Sequence, residues 1–74
     1  MPNQLLVSTA RDYLALVRML KSGTLDHVAF DDARSQRIVL HRQLIDLAPL
    51  ADKVRAQDSG VEYAKSIVRL NKGA

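Results

Sequence analysis

The chain has 74 residues, 47% of them apolar, with one Phe, two Tyr, no Trp and no Cys. A chain this short holds one domain, residues 1–74, whose thin core is filled by Leu, Val, Ile and Ala, a composition that suits helix packing better than a β-sandwich. There is no thiol for a disulfide or metal site, no signal-peptide pattern and no apolar run of about 18 residues, so a cytoplasmic protein without membrane contact is expected.

The first helix begins at Asn3 or at Ser8/Thr9, where Thr9 with Asp12 resembles a capping box. Leu6, Ala10, Tyr13, Leu14, Val17 and Leu20 recur at helical spacing and form an amphipathic stripe. Lys21 complements the helix dipole, and Gly23 is placed to close the helix in the left-handed conformation. The predicted span is about 4–22.

Thr24 to Phe30 is too apolar for a linker, with Leu25, Val28 and Phe30 all needing cover. A short helical turn capped by Thr24 is expected there, with Phe30 packing onto the next helix as the largest apolar anchor of the core. Asp31 or Asp32 then caps a helix over about 32–48, ended by Pro49, which disfavours helical geometry at the residue before it.

This second long helix has two usable seams and reads as the axis of the molecule. Steps of about 100° per residue put Ala33, Leu40, Leu44 and Leu47 on one stripe and Ile38 and Ile45 on another. Pro49 opens a short helix through Leu50 to Gln57. Ser59 and Glu62 form an S-x-x-E box for a last helix over about 60–71, with Val61, Ala64, Ile67 and Val68 inward and Tyr63 and Leu70 at the margin. The fold expected is all-α: a small compact bundle of three longer helices plus one or two short ones.

Charge gives the first functional lead. The net charge is +3, with three Lys/Arg against four Asp/Glu in residues 1–32 but eight against four in residues 33–74. A basic half can meet an acidic protein surface, nucleic acid or anionic lipid, and charge alone does not choose among them. Arg34, Arg37, His41 and Arg42 form a basic ridge beside the apolar seams, with Val39 in an otherwise polar sector. Planar Arg forks there suit an acidic protein partner. The structural alternative is that their stems cover apolar surface while their heads reach water or pair with Asp26, Asp31 or Asp46. Val39 gains interest if Met19 or Leu16 lies exposed beside it.

Residues 47–66 resemble the helix-turn-helix motif of bacterial repressors. Leu50, Ala51, Val54, Ala56, Val61 and Ala64 fall at its apolar positions, and Gln57, Asp58 and Ser59 fall in its turn. The resemblance implies DNA binding through Lys53, Arg55, Ser59, Lys65, Arg69 and Lys72. Two departures oppose it: Arg55 stands where the motif usually has Gly, and the exposed recognition positions are Asp58, Ser59, Glu62 and Ser66, where phosphate would meet the carboxylates of Asp58 and Glu62.

No catalytic, cofactor-binding or metal-binding residue is assigned. His27 and His41 are isolated, and the pair Asp31/Asp32 is accounted for as a helix start. The functional expectation is a monomeric, non-enzymatic regulator that binds a larger protein. By analogy of size and character with phage and plasmid accessory factors, that partner would be bacterial transcription machinery such as RNA polymerase. A helix-turn-helix DNA-binding regulator is the alternative.

Overall fold

The computed structural model describes residues 3–71, and these form helices with no strand among them. Helix α1 spans Gln4–Ser22, α2 His27–Leu47, a 3₁₀ turn Leu50–Asp52, α3 Lys53–Asp58 and α4 Gly60–Asn71. The all-α bundle read from the sequence is the fold observed, with two helix starts to place and the hub to reassign.

Asn3 settles where α1 begins, because its side-chain oxygen accepts from the amides of Leu5 at 3.0 Å and Leu6 at 3.3 Å. Thr9 therefore sits inside the helix and is buried, rather than capping it. At the other end Gly23 takes φ 71°, where a side chain would be strained. Only four residues separate the first two helices, so they form an antiparallel hairpin.

The start of α2 lies earlier than the Asp31/Asp32 pair implied. Asp26 is the cap, its carboxylate accepting from the Ala29 amide at 2.8 Å; the expected Thr24-capped turn does not form, Thr24 and Leu25 lying in the connector while residues 27–30 belong to α2. Phe30 consequently lies in the second turn of α2 at the margin of the core, 37% exposed, and is not the core anchor expected. That role belongs to Tyr63 and Leu44, the largest fully buried side chains. Tyr63 is expected at a margin of α4, but it is fully buried and belongs to the core cluster that includes Ala10, Tyr13 and Ala56.

The hub of the bundle is α1 rather than α2. Helix α1 packs against both α2 and α4, which touch each other much less, and it buries Leu6, Val7, Thr9, Ala10, Tyr13, Leu16 and Val17. Of the 21 residues of α2 only Ala33 and Leu44 are buried. Leu40, Ile45 and Leu47 are partly covered, whereas Ile38, assigned to a core seam by periodicity, is 72% exposed. The reason is position: α2 packs chiefly on α1 and only slightly on α3 and α4, so its second seam has no helix to cover it.

Ala48 adopts the extended geometry that Pro49 imposes, and its amide closes α2 on the Leu44 carbonyl at 3.0 Å. Lys53 finishes the same end by donating from Nζ to the carbonyls of Ile45 at 2.9 Å and Asp46 at 3.0 Å, where the dipole favours a cation. Ser59 caps α4 as the sequence implied, accepting from the Glu62 amide at 3.4 Å. Gly60 follows it, buried, with the His41 ring of α2 and the Tyr13 hydroxyl of α1 in the space a side chain would need.

Candidate protein-interaction surface

The basic ridge of α2 divides in space. His41 is committed to the fold: its Nε2–H donates to the Ala56 carbonyl at 2.9 Å and its ring lies 5.7 Å from that of Tyr13. Arg37 is half-buried, its guanidinium 5.9 Å from the centre of the Tyr13 ring, a cation–π distance. Arg34 and Arg42 are exposed, with Arg42 turned about 80° further round the helix than Arg34. Val39 lies on the far side of α2 from Arg37.

Two grooves flank α2 where it runs beside α1. One, of about 370 Å³, is lined by Ala15, Leu16, Met19 and Asp12 of α1 and by Gln36, Val39 and Leu40 of α2. It joins Val39 with the exposed Met19 over a floor containing the buried Leu16, so the patch conditional on those residues does form. The other, of about 380 Å³, lies between Leu20 and Lys21 of α1 and Phe30, Arg34, Arg37 and Ile38 of α2.

Phe30, Ile38, Leu20 and Lys21 are not expected at the surface site from sequence, because periodicity places Ile38 and Leu20 in the core, packing onto the next helix makes Phe30 a core anchor and Lys21 reads as a helix end. A signal was available in the mixture: Phe30, Arg34, Arg37, Ile38 and His41 share one stripe of α2, and Arg is seldom found in the stripe that a core buries.

The charges of this surface are open. Among the described residues the ion pairs are His27 with Asp31 at 3.7 Å and Lys65 with Glu62 at 3.9 Å, both on exposed side chains. Among the described residues none of the pairings of Arg34, Arg37 or Arg42 with Asp26, Asp31 or Asp46 forms, and the exposed Arg34 and Arg42 reach water, the other outcome the structural alternative allowed.

The residues assigned to nucleic acid are scattered among structural tasks. Lys53 caps α2, Ser59 caps α4, and Arg55 holds its guanidinium 5.5 Å from the Tyr63 ring centre. Lys65 pairs with Glu62, Arg69 is exposed, and Lys72 lies outside the described residues. The apolar contacts of a helix-turn-helix are also incomplete. Ala56 and Ala64 are buried and Val61 is partly so, but Ala51 is exposed, as are Leu50 at 85% and Val54 at 69%.

Tyr63 ties the short helix to the core. Its hydroxyl donates to the Asp52 carboxylate at 3.2 Å, and burial, then the charge of Asp52, then this hydrogen bond raise its pKa above the ordinary tyrosine value, with Arg55 opposing. The hydroxyl's partner among the described residues is Asp52, so the bond joins the 3₁₀ turn to the core.

Among the described residues no three His, Asp or Glu side chains gather where they could hold a metal ion, and no helix is long and apolar enough to cross a membrane. No family model, curated protein or solved structure matches this chain.

Proposed function

We propose that this chain is a non-enzymatic regulatory protein of the cytoplasm that acts by binding a larger protein through the outward surface of α2. One observation carries the reading: a helix of 21 residues buries two of them, leaving Val28, Phe30, Ile38 and Val39 exposed beside Arg34 and Arg42. Single exposed apolar residues are ordinary, but several on one helix, interleaved with arginine, have the composition of an interface core. Transcription machinery such as RNA polymerase remains the target class that size and basic character favour by analogy with phage and plasmid accessory factors.

The DNA-binding alternative draws less support. Phosphate contacts dominate DNA affinity, and here the cations near α4 are interrupted by Asp58 and Glu62 while Lys53 is turned to helix carbonyls. Capture from bacterial lysate by the tagged chain tests the two readings together. The wild type is expected to retain a defined protein that Ile38→Asp or Val39→Asp releases, with circular dichroism unchanged. Retention of every captured protein by both variants, or recovery of a single duplex sequence at nanomolar affinity in physiological salt, would reverse the ranking.

A further inference from the structure

The groove between the C-terminal end of α1 and the first half of α2 combines three apolar side chains, Leu20, Phe30 and Ile38, with three cations, Lys21, Arg34 and Arg37. No acidic residue lines it, and no described carboxylate lies within ion-pairing distance of any of its three cations. We infer that this groove is the docking site for an acidic amphipathic helix of a partner protein, whose apolar side chains seat on Leu20, Phe30 and Ile38 while its carboxylates meet Lys21, Arg34 and Arg37. The inference rests on the protein-binding reading above and names the chemistry of the partner.

Three features select this occupant. The first is charge complementarity: unpaired guanidinium groups beside an apolar floor give carboxylates oriented, partly desolvated partners, and Arg in that setting is a frequent hot spot. The second is backbone chemistry. Both walls are helices whose amides are bonded internally, so an incoming strand would find no ladder to join, and the guest must satisfy its own backbone, as a helix does. The third is spacing: Phe30, Arg34 and Ile38 lie at i, i+4 and i+8 and span about 12 Å of the α2 axis, matching the two-turn repeat of an amphipathic guest. Nucleic acid would use the cations but has little use for Leu20 and Ile38. Beyond Arg37 and Ile38, which also line the adjoining cleft, Asp58 sets a negative end to the site, so the guest's acidic residues belong at the Lys21–Arg34 end.

The test is a nuclear magnetic resonance titration of the isotope-labelled full chain. The probe is a capped helical peptide of about 18 residues with Leu at i, i+4 and i+7 and Glu on the flanking positions. Two controls replace every Leu by Ser or every Glu by Lys, and a third is random-sequence duplex DNA. The acidic leucine peptide is expected to shift the amides of Lys21, Phe30, Arg34, Arg37 and Ile38. Its binding should weaken at least ~tenfold in Arg34→Glu and in Ile38→Asp and stay unchanged in Val39→Asp on the opposite groove. Equal binding of the Ser peptide or the DNA would reduce the groove to nonspecific charge and overturn the proposal, as would equal binding of the Lys peptide or shifts centred on Met19 and Val39. A lysate partner released by Val39→Asp, with no response to the acidic peptide, defeats this proposal and leaves the broader reading standing. Retention of all captured proteins by both Ile38→Asp and Val39→Asp defeats the broader reading itself.

Discussion

Gly60 and His41 are in such close contact that a Cβ on Gly60 would lie 2.7 Å from Cδ2 of the imidazole. The ring cannot swing away cheaply, because its Nε2–H is held by the Ala56 carbonyl and its face adjoins Tyr13, whose hydroxyl would be 3.0 Å from the same Cβ. The first residue of α4 is glycine because α2 and α4 touch there. Gly60→Ala is therefore expected to destabilise the protein by ~1–3 kcal/mol, the usual range for overpacking, despite alanine's better helix propensity. Urea denaturation measures it. A stabilised Gly60→Ala protein would mean that the ring relaxes and the contact is incidental.

Burial along α2 predicts a gradient of stability effects. Leu44→Ala removes a fully buried side chain and should cost ~2–5 kcal/mol, a large fraction of what a domain this small can hold. Leu40→Ala should cost less because Leu40 is only partly covered, and Ile38→Ala should fall within ~0.5 kcal/mol of wild type. Midpoints that placed Ile38 beside Leu44 would restore the second core seam and remove the exposed surface.

The arginines should separate in the same way. Arg37→Ala loses the contact with Tyr13 and should destabilise by ~0.5–2 kcal/mol, while Arg42→Ala, exposed and unpaired among the described residues, should change stability by less than ~0.5 kcal/mol. Thermal melts of the two variants provide the check, and equal losses would refute the distinction drawn between them.

Lys53 offers a direct comparison of structural and nucleic-acid roles. Lys53→Met keeps much of the stem but removes the two donors that close α2, and should cost about 1 kcal/mol. If Lys53 instead serves phosphate, the melting temperature should stay put and duplex affinity should drop.

Tyr63 sets an alkaline limit. Its folded pKa is raised, so the stability contributed by the neutral phenol is complete below about pH 10, the unfolded value, and is lost as pH rises through the higher folded value. Tyr63→Phe should be less stable at neutral pH, lacking the bond to Asp52, but should lose stability less steeply above about pH 10. Parallel alkaline profiles for the two proteins would show that Tyr63 ionises no less easily in the folded state.

The sequence by itself determined most helix ends, because caps, breakers and periodicity act over a few residues: Gly23 ends α1, Pro49 ends α2 and Ser59 starts α4, whereas the start of α2 lies at His27 and not at the Asp31/Asp32 pair. It also marked α2 as carrying more apolar and basic residues than one face can hold. Tertiary structure decided how those residues divide between interior and surface. Ile38 and Leu44 look equivalent along the chain, yet one is exposed and the other sealed, because burial depends on which neighbours reach each face, and α1 rather than α2 lies between the other helices. The same packing divided the basic ridge. His41 went to the Ala56 carbonyl and Arg37 to Tyr13, while Phe30 and Ile38 came out beside Arg34. Local rules place a side chain at an angle on its helix; only the packing, which sets α2 at the outside against α1, determines whether that angle faces protein or water.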